Sequence, residues 1–483
     1  MCQQLLQNLY QRKWRFGDKK GAYRIFKIAL RLFTVIGIVF CILLAISAKF
    51  IAENVLSNSG VTYSIIALSP AIIFVAIAAV YRGFFTGLND LRPHSVSQVV
   101  EQIFNGIFSV LFVFLLLSKS PEIMAMGFSL GTTASTFISA LYLFGLYKSK
   151  KRDILKEMEG ETTEKDPTRA KVIVKNILRL SIPIAFASII MSVSTIIDFA
   201  TVMRGLKTFV TEVEANRQLG MLQGKIDMLL GLPLSVNVAF AMVLVPAISQ
   251  AVAVKDFVNA RLKVSFCLLF TILIALPASI GMSIMADPIL RLVFPNASDG
   301  AYILQIVAFT TIFAAITQTM SSALQGMGDV KTPVIAIVAG SIIKLVLNLI
   351  LVPIESIGIR GAAISSIVCQ VVIAVIVFNG FNRKIKIELK FKKYILKPVV
   401  STAVMAIFTI MSYKVLLPVL HSNAITTIVT LGIAMMTYGL SVAILKVFTK
   451  NEILMLPLGD KIYNILLKCR IYKNNDEPEV EKN

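Results

Sequence analysis

Charged and amide side chains set inside otherwise apolar stretches are the residues of this sequence with chemistry to do. His94, Gln98, Glu101 and Asn105 follow i, i+4, i+7, i+11 spacing, so they share one helix face, which Ser109 continues. A polar stripe of this kind either lines a wet central cavity or hydrogen-bonds neighbouring helices together. Asp198 lies deep in the run IIDFATV, and Lys344 and Asn348 share a face of a later apolar stretch. An ionised group at membrane depth is costly unless it meets a partner or water. Asp198 and Lys344 therefore either pair or reach water separately. Arg217 and Lys225 flank the start of another apolar stretch. A guanidinium there can hold a phosphate through paired hydrogen bonds, or serve as an ordinary interfacial anchor. Arg82 and Arg92 belong at the membrane rim, to meet a headgroup or to anchor a helix.

The elements that must carry these residues are apolar spans. Twelve stretches of near-spanning length lie between residues 28 and 447, the hydrophobic fraction is 56%, and mean hydropathy is +0.79. A helix needs about 20 apolar residues to cross the hydrocarbon layer, so this composition belongs in a bilayer rather than in water. The net charge of +21 is placed unevenly. Segments 10–27, 148–171 and 383–397 carry seven, eight and seven Lys/Arg, while 49–60 and 118–124 carry one each and 418–424 none. This positive-inside pattern puts both termini in the cytoplasm and favours anionic lipid. No basic–aromatic module accompanies the charge, which argues against nucleic acid as a partner. No P-loop occurs, so the chain is not an ATP-driven pump by itself. The five cysteines form no CxxC pair, and no metal cluster or catalytic constellation is expected. The first outer loop offers a single acid, Glu53, where a polyprenol-dependent transferase would need a pair.

The sequence contains a repeat. TGLNDLRP (86–93) reads against QGMGDVKTP (325–333) at an offset of 239, with one residue inserted before the second proline. A second echo, Asp18, Ala22, Arg24 and Lys27 against Asp256, Ala260, Arg261 and Lys263, keeps nearly the same offset. In each turn Gly permits a tight bend, Asp can cap the next helix and Pro suits its first turn. Parallel repeats of this kind mark transporters. The second copy begins near residue 172, which leaves two of its spans without a counterpart. Residues 2–13 (CQQLLQNLYQRK) are also polar where the second copy, at 240–252, is apolar. A missing or altered natural N-terminus, by frameshift or alternative start, is the expectation.

Four segments carry a family resemblance: YRGFFTGLNDLRPHSVSQVVEQ (81–102), LPLSVNVAFAMVLVPAISQA (232–251), SSALQGMGDVKTPV (321–334) and KLVLNLILVPIESIGIRGAAISS (344–366). They resemble the polysaccharide-export branch of the multidrug/oligosaccharidyl-lipid/polysaccharide (MOP) exporter superfamily. Within it they are similar to the stage V sporulation protein B group, relatives of MurJ-type lipid II flippases. The resemblance implies an all-α integral membrane protein: two pseudo-symmetric bundles around a central cavity, about twelve transmembrane helices here against fourteen in the family. The domains expected are an N-terminal bundle (1–147), a solvated cytoplasmic linker (148–171), a C-terminal bundle (172–380), two additional helices (381–448) and a cytoplasmic tail (449–483).

The implied activity is transport, not enzymology. The chain would move an undecaprenyl-pyrophosphate-linked saccharide, such as lipid II or a spore-cortex or cell-wall polysaccharide precursor, across the bacterial cytoplasmic membrane by alternating access. The partners implied are the lipid-linked oligosaccharide, membrane lipids and cell-wall synthases. No cofactor is implied beyond a coupling cation, Na+ or H+. Arg217 falls about where relatives place a cavity arginine. Lys225, His94, Gln98, Glu101, Asn105 and Arg82 are its expected companions. Relatives hold an acid and polar groups for sodium where Asp198, Lys344 and Asn348 stand here, so the Lys344 ammonium is expected to pair with Asp198 in place of the cation. The alternatives are a cation-coupled multidrug exporter, which would want an aromatic, acidic pocket from a chain with one Trp, and a membrane-embedded polyprenol-linked sugar transferase.

Overall fold

The structure, a computed structural model, describes residues 19–88, 90, 92–159, 170–386, 390–454 and 459–468. Among these residues there are helices and no strands. Backbone polar groups in a bilayer must be satisfied within the segment, and helices do this without a partner strand. The helices divide into two compact units, Met1–Ile196 and Ile197–Asn483.

The first unit holds α1 (Lys19–Phe50), the short α2 (Thr62–Leu68), α3 (Ala71–Gly87), α4 (Arg92–Leu115), α5 (Pro121–Glu159) and the first part of α6 (Ala170–Leu206). Helices α4 and α5 make its tightest contact. Gly127, Gly131, Ser135 and Ser139 recur every fourth residue on α5, and the two serines are buried. A Cβ on Gly131 would lie 2.5 Å from the Ser109 nitrogen, so the two backbones touch there. Small residues at this spacing let membrane helices approach and gain dispersion contacts that lipid cannot supply. Nearby, Phe26 stacks on Phe84 with centroids 4.2 Å apart, and the Tyr23 and Tyr147 hydroxyls lie 2.7 Å apart.

The second unit holds the rest of α6, then α7 (Glu212–Gly220), α8 (Asp227–Ala253), α9 (Phe257–Ile284), α10 (Ala286–Val293), α11 (Ala301–Val307), α12 (Thr310–Gly326), α13 (Lys331–Leu351) and α14 (Ile359–Asn382). After these come α15 (Lys397–Leu420), α16 (Asn423–Ile444) and the short α17 (Lys450–Leu454) and α18 (Gly459–Lys468). Asn237 of α8 ties three helices together. It donates to the Ala315 carbonyl and Gln318, both on α12, and accepts from Thr271 of α9. Helices α15 and α16 pack on each other, α15 packs on α9, and the Tyr438 hydroxyl donates to the Leu273 carbonyl at 2.8 Å.

Ten helices among the described residues are long and apolar enough to cross a membrane. The expected count was twelve; the fifth and sixth expected spans fall on α6 and α8, which are not among the ten. The lipid-facing character of the ten shows in exposed apolar side chains such as Ile46, Val110 and Met435, each more than 70% exposed. Within the expected linker, residues 148–159 continue α5 as helix. The run KSKKRDILKEME is rich in good helix formers and free of Gly and Pro, so the helix runs on past the apolar stretch. Residues 160–169 lie outside the described residues, and the two units divide within α6.

Both repeat turns are helix stops of one design. The Asp90 N–H donates to the Phe85 carbonyl at 3.1 Å, and the Asp329 N–H to the Leu324 carbonyl at 2.9 Å. Each aspartate then accepts from the backbone N–H of the next helix, Arg92 at 3.3 Å and Thr332 at 3.1 Å. Each also takes a lysine, Lys150 within α5 and Lys384 just beyond α14, both at 2.7 Å. The second echo begins at Asp18, outside the described residues; its counterpart Asp256 caps α9 by accepting from the Asn259 N–H at 3.0 Å.

Candidate functional site

The polar stripe of α4 is split by its surroundings. Glu101 faces α3, where its carboxylate meets the Arg82 guanidinium at 2.6 Å. Arg82 also donates to Ser97 at 2.8 Å and to Ser139 of α5 at 2.9 Å, and the Ser139 hydroxyl donates to the Ser97 carbonyl. Asn105 accepts from Ser109 at 3.0 Å and from Thr132 of α5 at 3.2 Å. These bonds join α3, α4 and α5. Gln98 is exposed and His94 half-buried. The Arg82 side chain is 12% exposed. The physical reason is its company, since one carboxylate and two hydroxyls satisfy three of its donors among the helices.

In the second unit, Asp198 and Thr201 lie three residues apart on α6, and Lys344 and Asn348 four apart on α13, so each pair shares a helix face. The Lys344 ammonium donates to Asp198 at 2.6 Å. Asn348 donates to the other Asp198 oxygen at 3.1 Å and to the Thr201 hydroxyl at 3.0 Å. The Thr201 hydroxyl donates to the Ile197 carbonyl at 2.6 Å. The two ionised side chains are 10% and 13% exposed, and Asn348 is fully buried. Among the described residues, the buried Asn348 Oδ1 has no hydrogen-bond partner. Asp227, exposed on the first turn of α8, interacts electrostatically with both Asp198 and Lys344.

Arg217 and Lys225 meet at a pocket of about 740 Å³. Thr211 caps α7 by accepting from the Glu214 N–H, and α7 carries Arg217. A π-helical turn, Met221–Ile226, follows and presents Lys225; such widened turns re-aim side chains and recur at functional sites. Opposite stands the loop Pro295–Asp299, closed by Gly300 at φ 106°, a left-handed conformation suited to glycine. One Asp299 oxygen accepts from Lys225 at 2.8 Å, and the other accepts from Arg217. Lys225 also donates to the Ala297 carbonyl at 2.6 Å, and Arg217 reaches Glu214 at 3.1 Å. The Lys225 ammonium, seconded by the Arg217 guanidinium, holds the Asp299 carboxyl below the usual carboxylate range.

A profile described as "Polysaccharide biosynthesis protein" matches residues 11–252, half of the chain. The chain belongs to the polysaccharide biosynthesis protein family. The MatE profile matches residues 183–350, and both families lie in the MOP superfamily. The chain is 24% identical over 381 residues to stage V sporulation protein B of Bacillus subtilis (strain 168), covering 79% of this chain and 73% of that protein. It is 25% identical over 350 residues to lipid II flippase MurJ of the same strain, covering 70% and 64%. Its fold matches a solved lipid II flippase MurJ in the inward closed conformation, with TM-score 0.63, 15% identity, and coverage of 92% and 89%. A membrane protein of this family is multi-pass, in keeping with its ten candidate spans.

Family membership did not point to several residues that complete these clusters. Asp299 is the one acid between Asp287 and Asp329, a signal visible in the sequence. Ser97 and Ser139 carry no such signal, because a serine in a span is ordinary until an arginine is found beside it. Thr201 is legible only as the next same-face neighbour of Asp198.

Proposed function

We propose that this polysaccharide biosynthesis family member is a flippase that moves a polyprenyl-pyrophosphate-linked saccharide, of the lipid II or spore-cortex precursor class, across the bacterial cytoplasmic membrane by alternating access. The observation that carries this reading is the profile match over residues 11–252, which contains Asp198, Arg217 and Lys225. Arg217 and Lys225 are the groups to engage a diphosphate, since a guanidinium and an ammonium offer several charge-assisted donors on one side of a pocket. Gln98 and His94 stand at the less covered end of the α4 stripe, as groups for sugar hydroxyls. The Asp198–Lys344–Asn348 cluster is the charge-sensitive element. A coupling cation, Na+ or H+, would act by replacing the Lys344 ammonium at Asp198, and the membrane potential contributes about 2.3 kcal/mol per unit charge per 100 mV. Both termini are placed in the cytoplasm by the Lys/Arg distribution.

The test is complementation of cells depleted of their lipid II flippase. Survival on expression of this chain, lost in an R217Q/K225Q variant present at equal level in the membrane, is the expected result. Cell death despite wild-type protein in the membrane would remove lipid II as the cargo. The MatE match over residues 183–350 contains the whole Asp198–Lys344–Asn348 cluster and supports a second reading, a cation-coupled exporter of small molecules. Efflux of a cationic dye, driven by a cation gradient and indifferent to lipid II supply, would select it.

A further inference from the structure

We infer that Asp299 is an internal counter-anion, which occupies the Arg217–Lys225 site in this conformation and must leave before an external phosphate group can bind. The inference rests on the reading of that pocket as a headgroup site and adds the device that controls it. The geometry is that of a bridging anion: one carboxylate oxygen on the ammonium, the other on the guanidinium. A phosphate monoester or diphosphate would present its oxygens to the same two cations in the same way. The three side chains are not locked in a core. Arg217 is 56% exposed, Asp299 37% and Lys225 20%, and all border a pocket of about 740 Å³, so ligand and solvent can reach them.

The carboxylate also stands where it can move. Asp299 is the last residue of the loop Pro295–Asp299, and a turn about its own side-chain bonds carries the carboxylate off both cations without moving the Ala297 carbonyl. Lys225 keeps a second acceptor, the Ala297 carbonyl, and Arg217 keeps Glu214. Each cation therefore stays partnered when Asp299 departs, and its pointing direction is retained. Glu214 and Asp299 together balance the charges of Arg217 and Lys225, so these four side chains carry no net charge between them. The site gains a net positive charge toward the ligand only when Asp299 swings out. A site built this way discriminates by charge: a neutral sugar or a monocarboxylate gains little by displacing Asp299, whereas a group of two or more negative charges outcompetes it.

The experiment is equilibrium binding of inorganic pyrophosphate and of farnesyl diphosphate to the purified full chain in nanodiscs, for wild type, D299N, D299E and R217Q/K225Q. Exposed charge pairs are individually weak, so D299N is expected to bind both ligands about fivefold more tightly than wild type. D299E, which keeps a carboxylate, should stay near wild type, and R217Q/K225Q should lose binding. Equal or weaker binding by D299N, with wild type binding well, overturns the counter-anion and leaves the headgroup site standing. No binding by any variant, with each protein monodisperse, overturns the headgroup site itself. The ratio of farnesyl diphosphate to pyrophosphate affinity separates a lipid headgroup from free phosphate as the natural ligand.

Discussion

The turns that follow α3 and α12 are built alike, yet the ion pairs that the next helix of each enters, through Glu101 and Lys344, are built differently. Asp90 and Asp329 each close one helix, cap the next and hold a lysine. In the first unit the buried pair is Arg82–Glu101, between helices adjacent in sequence, with Ser97 and Ser139 taking further guanidinium donors. In the second unit it is Lys344–Asp198, from helices 146 residues apart. There one carboxylate oxygen meets the ammonium, and the neighbouring Asn348 Oδ1 has no partner among the described residues. Turn chemistry is local, so a duplicated sequence reproduces it. A buried charge is set by which helices meet, and the two units meet different neighbours. The satisfied cluster reads as structural and the under-satisfied one as a site that can change partners.

The largest expected effect tests that contrast directly. Removing one member of either pair leaves the other charge stranded, at a cost of about 3–5 kcal/mol, so R82M and K344M should both lower the thermal midpoint strongly. Removing both members separates the units. R82M/E101Q should regain most of the stability and the transport, because Ser139 still donates to the Ser97 carbonyl. K344M/D198N should regain stability but not transport. Thermal unfolding in detergent and translocation in proteoliposomes measure the two quantities. Full transport by K344M/D198N would make the second pair as structural as the first.

A smaller effect compares the close approaches. A methyl on Gly131 would meet the backbone of Ser109 at 2.5 Å, whereas one on Gly340 would first meet the Ile373 side chain. Backbone cannot yield locally, so G131A should cost about 2 kcal/mol and G340A less, with G106A, which meets nothing within 4 Å, close to neutral. Unfolding midpoints of the three variants in one detergent give the order. A larger loss for G340A than for G131A would show that Ile373 is as fixed as a backbone.

These examples show which features a sequence carries and which it does not. Spans, helix stops and the duplication were legible because apolar length and Gly-Asp-Pro chemistry act within a few residues. The Asp198–Lys344 juxtaposition was reachable because a charge at membrane depth demands a partner and few candidates exist. The company of Arg82 was not legible, because its distance from the end of α3 was visible while Ser97, Glu101 and Ser139 converging on it were not. The continuation of α5 through 148–159 was missed for the opposite reason. Charge density suggested a solvated linker, although the same residues are good helix formers. Asp299 escaped because its importance lies in a loop fold that brings it to Arg217 and Lys225.

The smallest effect concerns the two turn aspartates. Asp329 is 11% exposed, and burial alone would raise its carboxyl. The Lys384 ammonium and the Thr332 hydroxyl and N–H outweigh burial and hold it at about 2. A folded-state value below the ordinary 3.8 means that the unfolded chain binds the proton more readily. The stabilisation is therefore complete above about pH 4 and is lost as pH falls through about 2. D329N should remove about 1 kcal/mol at neutral pH and flatten the acid limb between pH 4 and 2. Asp90 caps through a longer bond, 3.3 Å to the Arg92 N–H, and its pair with Lys150 is more open, at 30% and 45% exposure. D90N should therefore cost less at neutral pH. Urea unfolding of both variants across that pH range checks the order. Equal losses would mean that cap length and exposure do not govern these turns, and that the lysine alone does.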